Sequence, residues 1–429
     1  HHYDYKTSFT RWFWDQNHPE MLKMLAEHGF NAPDDIWFSE QGWSTSKERS
    51  YGVTDYSRAK DAVRYWVYLR GNNRTKHFFV YNLMNLSSNE WFYENQYGIM
   101  RDEHHRVAPG APFPICVTLN AMNYFVGMAE PQKQLILNNN QVPLYMFKHN
   151  DGRQIICSWS DEQKDEIANV DLGTNSVDVY DMFGNFKYTL RSDNGVYSLP
   201  VQKEPQYYIG NFSKFEEGKP IIGFDNAEIE CASGDTITFK VQSAAPNAYT
   251  YECESSDFDI TDSGEGKFTL KVNSDCANGN YPISVKVKKD GYIYFDGCLN
   301  VKVGEPIEVK QSVVNVVNDQ YQANLTVTNT SKRVLSGVAD ISEPEDIAKY
   351  ANSVNVVNLK PGETKTYTFR LPEMKNMRRI ETKFDFKENG GNVFSYKNKT
   401  VLAPVAYAKT KPEIDGNIAP NEWNSKWLV

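Results

Sequence analysis

Asp35-Ile36-Trp37-Phe38-Ser39-Glu40-Gln41-Gly42-Trp43-Ser44-Thr45 is a short apolar run that ends on a carboxylate, followed by a glycine, a tryptophan and small hydroxyl residues. Apolar runs this short, bounded by turn residues, read as strands buried on both faces. A carboxylate at the end of such a strand loses hydration unless it faces a cleft. Glu40 is therefore a candidate catalytic carboxylate. On Glu40 alone, a charged residue that merely ends a surface strand is the commoner reading.

The flanking sequence alternates strand and helix. Pro19 opens a helix over 19–28, with Met21, Leu22, Met24 and Leu25 on one face and Gly29 as its stop. A second helix over 55–70 is entered at Thr54 or Asp55 and closed by Gly71, with Ala59, Ala62, Val63, Trp66 and Val67 as its apolar face. A buried strand over 77–83 follows, giving a strand-helix-strand unit of the length a right-handed parallel crossover needs. A polar, aromatic loop then leads to a helix over 114–128. Catalytic groups sit at the carboxyl ends of parallel strands in (β/α)8 barrels. The expectation is α/β over residues 1–128, as the C-terminal part of such a barrel, because these units are too few to close one.

From about residue 130 the texture turns to short strands, such as Leu144-Tyr145-Met146-Phe147, Gln154-Ile155-Ile156-Cys157 and Gln206-Tyr207-Tyr208-Ile209. That spacing predicts a β-sandwich over 129–212 and immunoglobulin-like sandwiches over 213–305 and 306–404. Residues 405–429 are too short to fold alone and read as the start of a further module, cut off.

Composition narrows the function classes. Net charge is −9 with no Lys/Arg run, which argues against nucleic acid and anionic membranes, and no stretch is long enough to span a bilayer. Aromatic residues reach 14%, and seven of nine Trp precede residue 160. All eight His lie at or before His149, and no His/Cys spacing matches a metal site, so neither a metal nor a cofactor is expected. Four of the six Cys (Cys231, Cys253, Cys276 and Cys298) fall in one segment, compatible either with two disulfides in an oxidising compartment or with buried thiols. The chain opens without Met or a signal peptide, so it is either processed or begins internally.

The run from Ile36 to Ser44 resembles the seventh-strand motif of clan A glycoside hydrolases, an apolar strand ending in Thr/Ser-Glu-x-Gly-Trp/Tyr. His1-His2-Tyr3 resembles the His-x-Tyr that closes the sixth strand, Phe79-Val80-Tyr81-Asn82-Leu83 the eighth strand, and Tyr97-Gly98-Ile99-Met100 the Phe-Gly-Leu-Leu after it. The resemblance covers about the first 125 residues. It implies that Glu40 is the nucleophile of a retaining glycosidase, that Tyr3 hydrogen-bonds it, and that His1 lines the sugar site. Val80 stands where the family's eighth strand usually carries a Trp. The family's acid/base, an Asn-Glu on the fourth strand, would lie before residue 1. This chain alone is therefore expected to show little activity. The terminal Ile414-Asp415-Gly416 and Glu422-Trp423 resemble the start of a family 9 carbohydrate-binding module.

Retaining hydrolysis takes two carboxyl groups about 5–5.5 Å apart, one attacking the anomeric carbon and one protonating the leaving oxygen. Trp43, Tyr81 and Trp91 are candidates to stack on pyranose rings, whereas Trp37 reads as core. Glu90 and Glu94 read as solvated loop acids, and Trp12 and Trp14 as loop residues. His1, His2 and Tyr3 could equally be a tag remnant or a disordered terminus. The expected partner is a carbohydrate and the expected location secreted or cell surface. The competing expectation is a non-catalytic carbohydrate-binding or adhesive surface protein with a degenerate barrel.

Overall fold

A computed structural model describes residues 11–30, 37–48, 52–72, 77–105, 108–162, 165–219, 221–317, 320–372 and 378–402. His1, Tyr3 and the module start at 405–429 lie outside them. Two compact units result: residues 1–225 with 241–253 and 284–298, and residues 226–240, 254–283 and 299–429.

The α/β-barrel expectation is overturned. The chain is 48% strand and 15% helix, arranged in several small sheets without a helix-strand barrel pattern. In the first unit, α1 (Arg11–Glu27) precedes β1 (Trp37–Gln41), α2 (Asp55–Gly71) and β2 (His77–Val80). The strands β1 and β2 do pair in parallel, Trp37 with His77 and Phe38 with Phe78, but among the described residues their sheet has two strands. One face packs Phe38 and Phe78 against Tyr65 of α2, while Trp37 and Phe79 on the other are 56% and 49% exposed. The crossover is a local motif, and two strands cannot curl into a closed wall. Trp37 is accordingly not core. Pro19, expected to start a helix, lies inside α1, which also carries Trp12 and Trp14.

Thr54 caps α2, its Oγ1 accepting the Ser57 N–H at 3.1 Å. The helix is buried well beyond its apolar stripe, Arg58 and Arg64 included. It packs on α3 (Pro114–Met122), whose Thr118 hydroxyl donates to Ala59 O at 3.2 Å. A π-helical turn, Asn123–Gly127, continues α3.

The strands β3 (Glu130–Leu137), β4 (Val142–Lys148), β5 (Gln154–Ser158), β6 (Glu166–Asp171), β7 (Ser176–Tyr180), β8 (Phe186–Arg191), β9 (Val196–Val201) and β10 (Gln206–Gly210) follow. Six of them run side by side in the order β8-β7-β10-β5-β4-β3, while β6 and β9 belong to a separate sheet. The apolar doublets of the sequence are explained here. Tyr145, Phe147, Ile155, Cys157 and Tyr207 join the core shared with α2 and α3. Their neighbours Leu144, Ile156 and Tyr208 join a second core with Val170 of β6 and Leu199 of β9. Side chains alternate across a strand, so a sheet covered on both faces needs apolar residues at consecutive positions.

In the second unit, Ile307–Val317, Gln320–Asn329 and Thr364–Leu371 form one sheet, and Val354–Leu359, Leu335–Glu343, Arg378–Glu388 and Val393–Leu402 another. Leu325, Ala339, Phe369 and Phe386 lie in its core. Asp235, fully buried, meets Arg333 at 3.1 Å, and Arg333 meets Glu388 at 2.9 Å. Of the two alternatives for the four-cysteine segment, Cys231 and Cys276 follow the second, as free thiols. Burial and the neighbouring Asp235 push the Cys231 thiol up to about 11. Among the described residues no helix is long and apolar enough to cross a membrane, and no group of three His, Cys, Asp or Glu is placed to hold a metal.

Candidate functional site

Glu40 is the penultimate residue of β1, half-buried. Immediately after it the chain tightens. Gln41 is 1% exposed and its carbonyl accepts the Tyr81 N–H at 2.9 Å. Gly42 allows this approach, since a Cβ there would lie 2.2 Å from the Tyr81 carbonyl oxygen. Tyr81, half-buried just past β2, meets the Tyr97 ring edge-on with centroids 5.6 Å apart. Its peptide bond to Asn82 is cis.

The hydroxyl-rich run after Glu40 binds the long loop that follows β2. Ser44 Oγ donates to Tyr93 O at 2.8 Å, Ser46 Oγ to Trp91 O at 3.1 Å, and the Thr45 and Lys47 amides donate to Gln96 O and Glu90 O. Two buried amide side chains hold that loop from inside. Asn85 Nδ2 donates to Gln96 Oε1 at 2.9 Å and Asn85 Oδ1 accepts the Gly98 N–H at 2.8 Å. Gln96 Nε2 donates to Ser87 O and Asn89 O. Sequence reasoning passed over Asn85 and Gln96 because their amides look like ordinary loop polarity; only their burial marks them as framework. The loop consequently presents Trp91, 67% exposed, and Phe92, 50% exposed, on an ordered backbone.

The predicted sugar-stacking residues thus divide. Trp91 is exposed and Tyr81 half-buried, while Trp43 is 3% exposed and packs edge-on against Tyr65 at 6.0 Å. Glu90 pairs with Lys47 on the surface. Gly98 offers a stability test of the framework. A Cβ at this position would lie 2.0 Å from Asn85 N and 2.3 Å from Met84 C, both backbone. Gly98→Ala is expected to cost about 1–3 kcal/mol of stability by overpacking and to shift the Trp emission of the loop. An unchanged urea midpoint and spectrum would show that the loop is not held as described.

No family model matches the chain, and no curated protein matches it. Among solved structures it is similar to a family 39 glycoside hydrolase from the gut symbiont Bacteroides cellulosilyticus WH2, with 18% identity, a TM-score of 0.36, and coverage of 44% of this chain and 37% of that one. A gamma-CGTase from alkalophilic Bacillus clarkii gives 11% identity and a TM-score of 0.26 over 90% of this chain and 56% of its own. The Yersinia pseudotuberculosis adhesin InvE gives 13% identity and a TM-score of 0.15 over 42% and 57%. The chain thus spans 37% and 56% of the first two structures. Likenesses at these scores carry no argument about function.

Proposed function

We propose that the protein is a retaining glycoside hydrolase acting on a polysaccharide or oligosaccharide, with Glu40 as its nucleophile. The observation that supports this reading is the placement of Glu40: a half-buried carboxylate at the carboxyl end of a parallel strand, followed by a backbone that is tied down residue by residue. A nucleophile must attack from a fixed position, so a rigid support immediately after it has a catalytic use. Tyr81 and Trp91 would stack on the sugar. Tyr3, as hydrogen-bond donor to Glu40, and His1, as a sugar contact, belong to the same proposal although they lie outside the described residues. A polymeric substrate suits a secreted or surface-bound enzyme.

Trapping tests the assignment. A 2-fluoro glycoside with a good leaving group, incubated with the full-length protein and mapped by peptide mass, is expected to label Glu40. A label on another carboxylate would remove Glu40 from the nucleophile's role. The second reading is a carbohydrate-binding or adhesive surface protein, favoured by the exposed rings of Trp91 and Phe92. This reading predicts glycan retention without any covalent intermediate.

A further inference from the structure

Away from Glu40, the first unit carries a cleft of about 510 Å³ where the end of α3 and its π-helical turn approach β7, lined by Asn120, Tyr124, Arg153, Asp178, Tyr180 and Phe183. Its volume is that of a small-molecule site. Tyr124 is 62% exposed, a large apolar side chain that contributes little to the core. Its ring is nevertheless held. The Arg153 guanidinium lies 5.4 Å from the ring centroid, and Arg153 is fixed in turn by Asp151, Nε to Oδ2 at 2.7 Å and backbone N to Oδ1 at 3.0 Å. His149 Nδ1 closes the chain on Asp151 Oδ1 at 3.1 Å.

The opposite wall is equally set. Asp181 Oδ1 accepts the Phe183 and Asn185 amides, both at 2.9 Å, so the turn that displays Phe183 is pinned. Gly184 at φ +86° lets that turn close. Tyr180 leans on Phe125 with centroids 5.2 Å apart, and Asp178 accepts from Thr189 Oγ1 at 2.6 Å. The cleft therefore combines flat aromatic rings, which pack against C–H faces, with an amide, a carboxylate and a guanidinium, which bond hydroxyl groups. Asp151 neutralises Arg153, so the positive charge is not left open to an anion.

We infer that this cleft is a second carbohydrate-binding site, taking a short stretch of a neutral polysaccharide between Tyr124 and Phe183. It stands independently of the role of Glu40. A protein partner would find the same rings, but polar walls on both sides favour a polyhydroxylated ligand.

The test is affinity electrophoresis of the full chain through gels containing mixed-linkage β-glucan, xyloglucan, galactomannan or arabinoxylan, with polygalacturonate as the anionic comparison. At least one neutral polymer is expected to retard the protein, and to do so in a Trp91→Ala background, where the Glu40 face is weakened. In that background Tyr124→Ala should weaken retardation about tenfold, Asn120→Ala should weaken it less, and Tyr124→Phe should keep most of it. A circular dichroism melt of each variant checks folding, and the Asn120→Ala result decides if Tyr124→Ala does not fold. Four outcomes overturn the inference: no neutral polymer retards the protein, Trp91→Ala alone abolishes retardation, polygalacturonate is preferred, or well-folded Tyr124→Ala and Asn120→Ala proteins migrate as the parent. The first two concern binding only, and the covalent labelling of Glu40 answers separately.

Discussion

Glu40→Gln in the full-length protein is expected to lower glycoside turnover at least about a hundredfold, a loss of roughly 2.7 kcal/mol or more of transition-state stabilisation. The carboxamide has the shape of the carboxylate but cannot attack the anomeric carbon. Glycan binding should survive, because Tyr81 and Trp91 are untouched, and so should stability, since Glu40 is only half-buried. Glu90→Gln supplies the comparison. Glu90 pairs with Lys47, with side chains 48% and 59% exposed, and exposed pairs contribute about 0–1 kcal/mol. Equal turnover in the parent and Glu40→Gln would end the nucleophile assignment. Equal loss in both variants would point to a general charge effect instead.

The second large effect concerns the other unit. Asp235 is fully buried, binds Arg333 at 3.1 Å, and accepts the backbone amides of Ala232 and Lys332 at 2.9 and 3.0 Å. Arg333 also donates to Ser233 O and to Glu388. Asp235→Ala takes one partner from a guanidinium that keeps Glu388, and leaves the amides of Ala232 and Lys332 without their acceptor. Such a loss should destabilise the chain by about 1–3 kcal/mol, because buried donors left without their acceptor lose hydration and gain nothing in return. Asp235→Asn, which keeps an acceptor but not the charge, should fall between. Glu308→Ala is the matched control, since Glu308 pairs with Lys310 where side chains are 51% and 71% exposed. Urea denaturation that ranks Asp235→Ala no worse than Glu308→Ala would remove this cluster from the stability account.

Several local features were legible in the residues. Thr54 at the start of α2, the short strand ending beside Glu40, and the doublets at 144–147, 154–157 and 206–209 all announce themselves by spacing. The doublets read as strands of a sandwich, and only the structure shows that both of their faces are covered. The barrel was misjudged because a strand-helix-strand crossover has the same sequence whether or not a closed wall is built around it. Trp37 and Trp43 changed places for a related reason. Trp37 lies on the uncovered face of β1, and Trp43, past the end of that strand, packs against Tyr65; the apolar character of the run does not say which face is covered.

By itself the sequence determined part of the local geometry: that a short strand carries Glu40 near its end, that Thr54 caps α2, and that strands run through 144–147, 154–157 and 206–209. Propensity, capping and periodicity act within a few residues, so these are properties of the chain as written. Only the tertiary structure decided which groups are buried and against what. Arg64, outside the apolar face of α2, is buried and donates to Ser160 O at 2.8 Å and to Lys203 O, partners 96 and 139 residues away. Asn85, Gln96 and Asp235 became framework, and Tyr124 a fixed exposed ring, in the same way. Desolvation and charge pairing depend on what packs alongside, and no short window of sequence contains that neighbour.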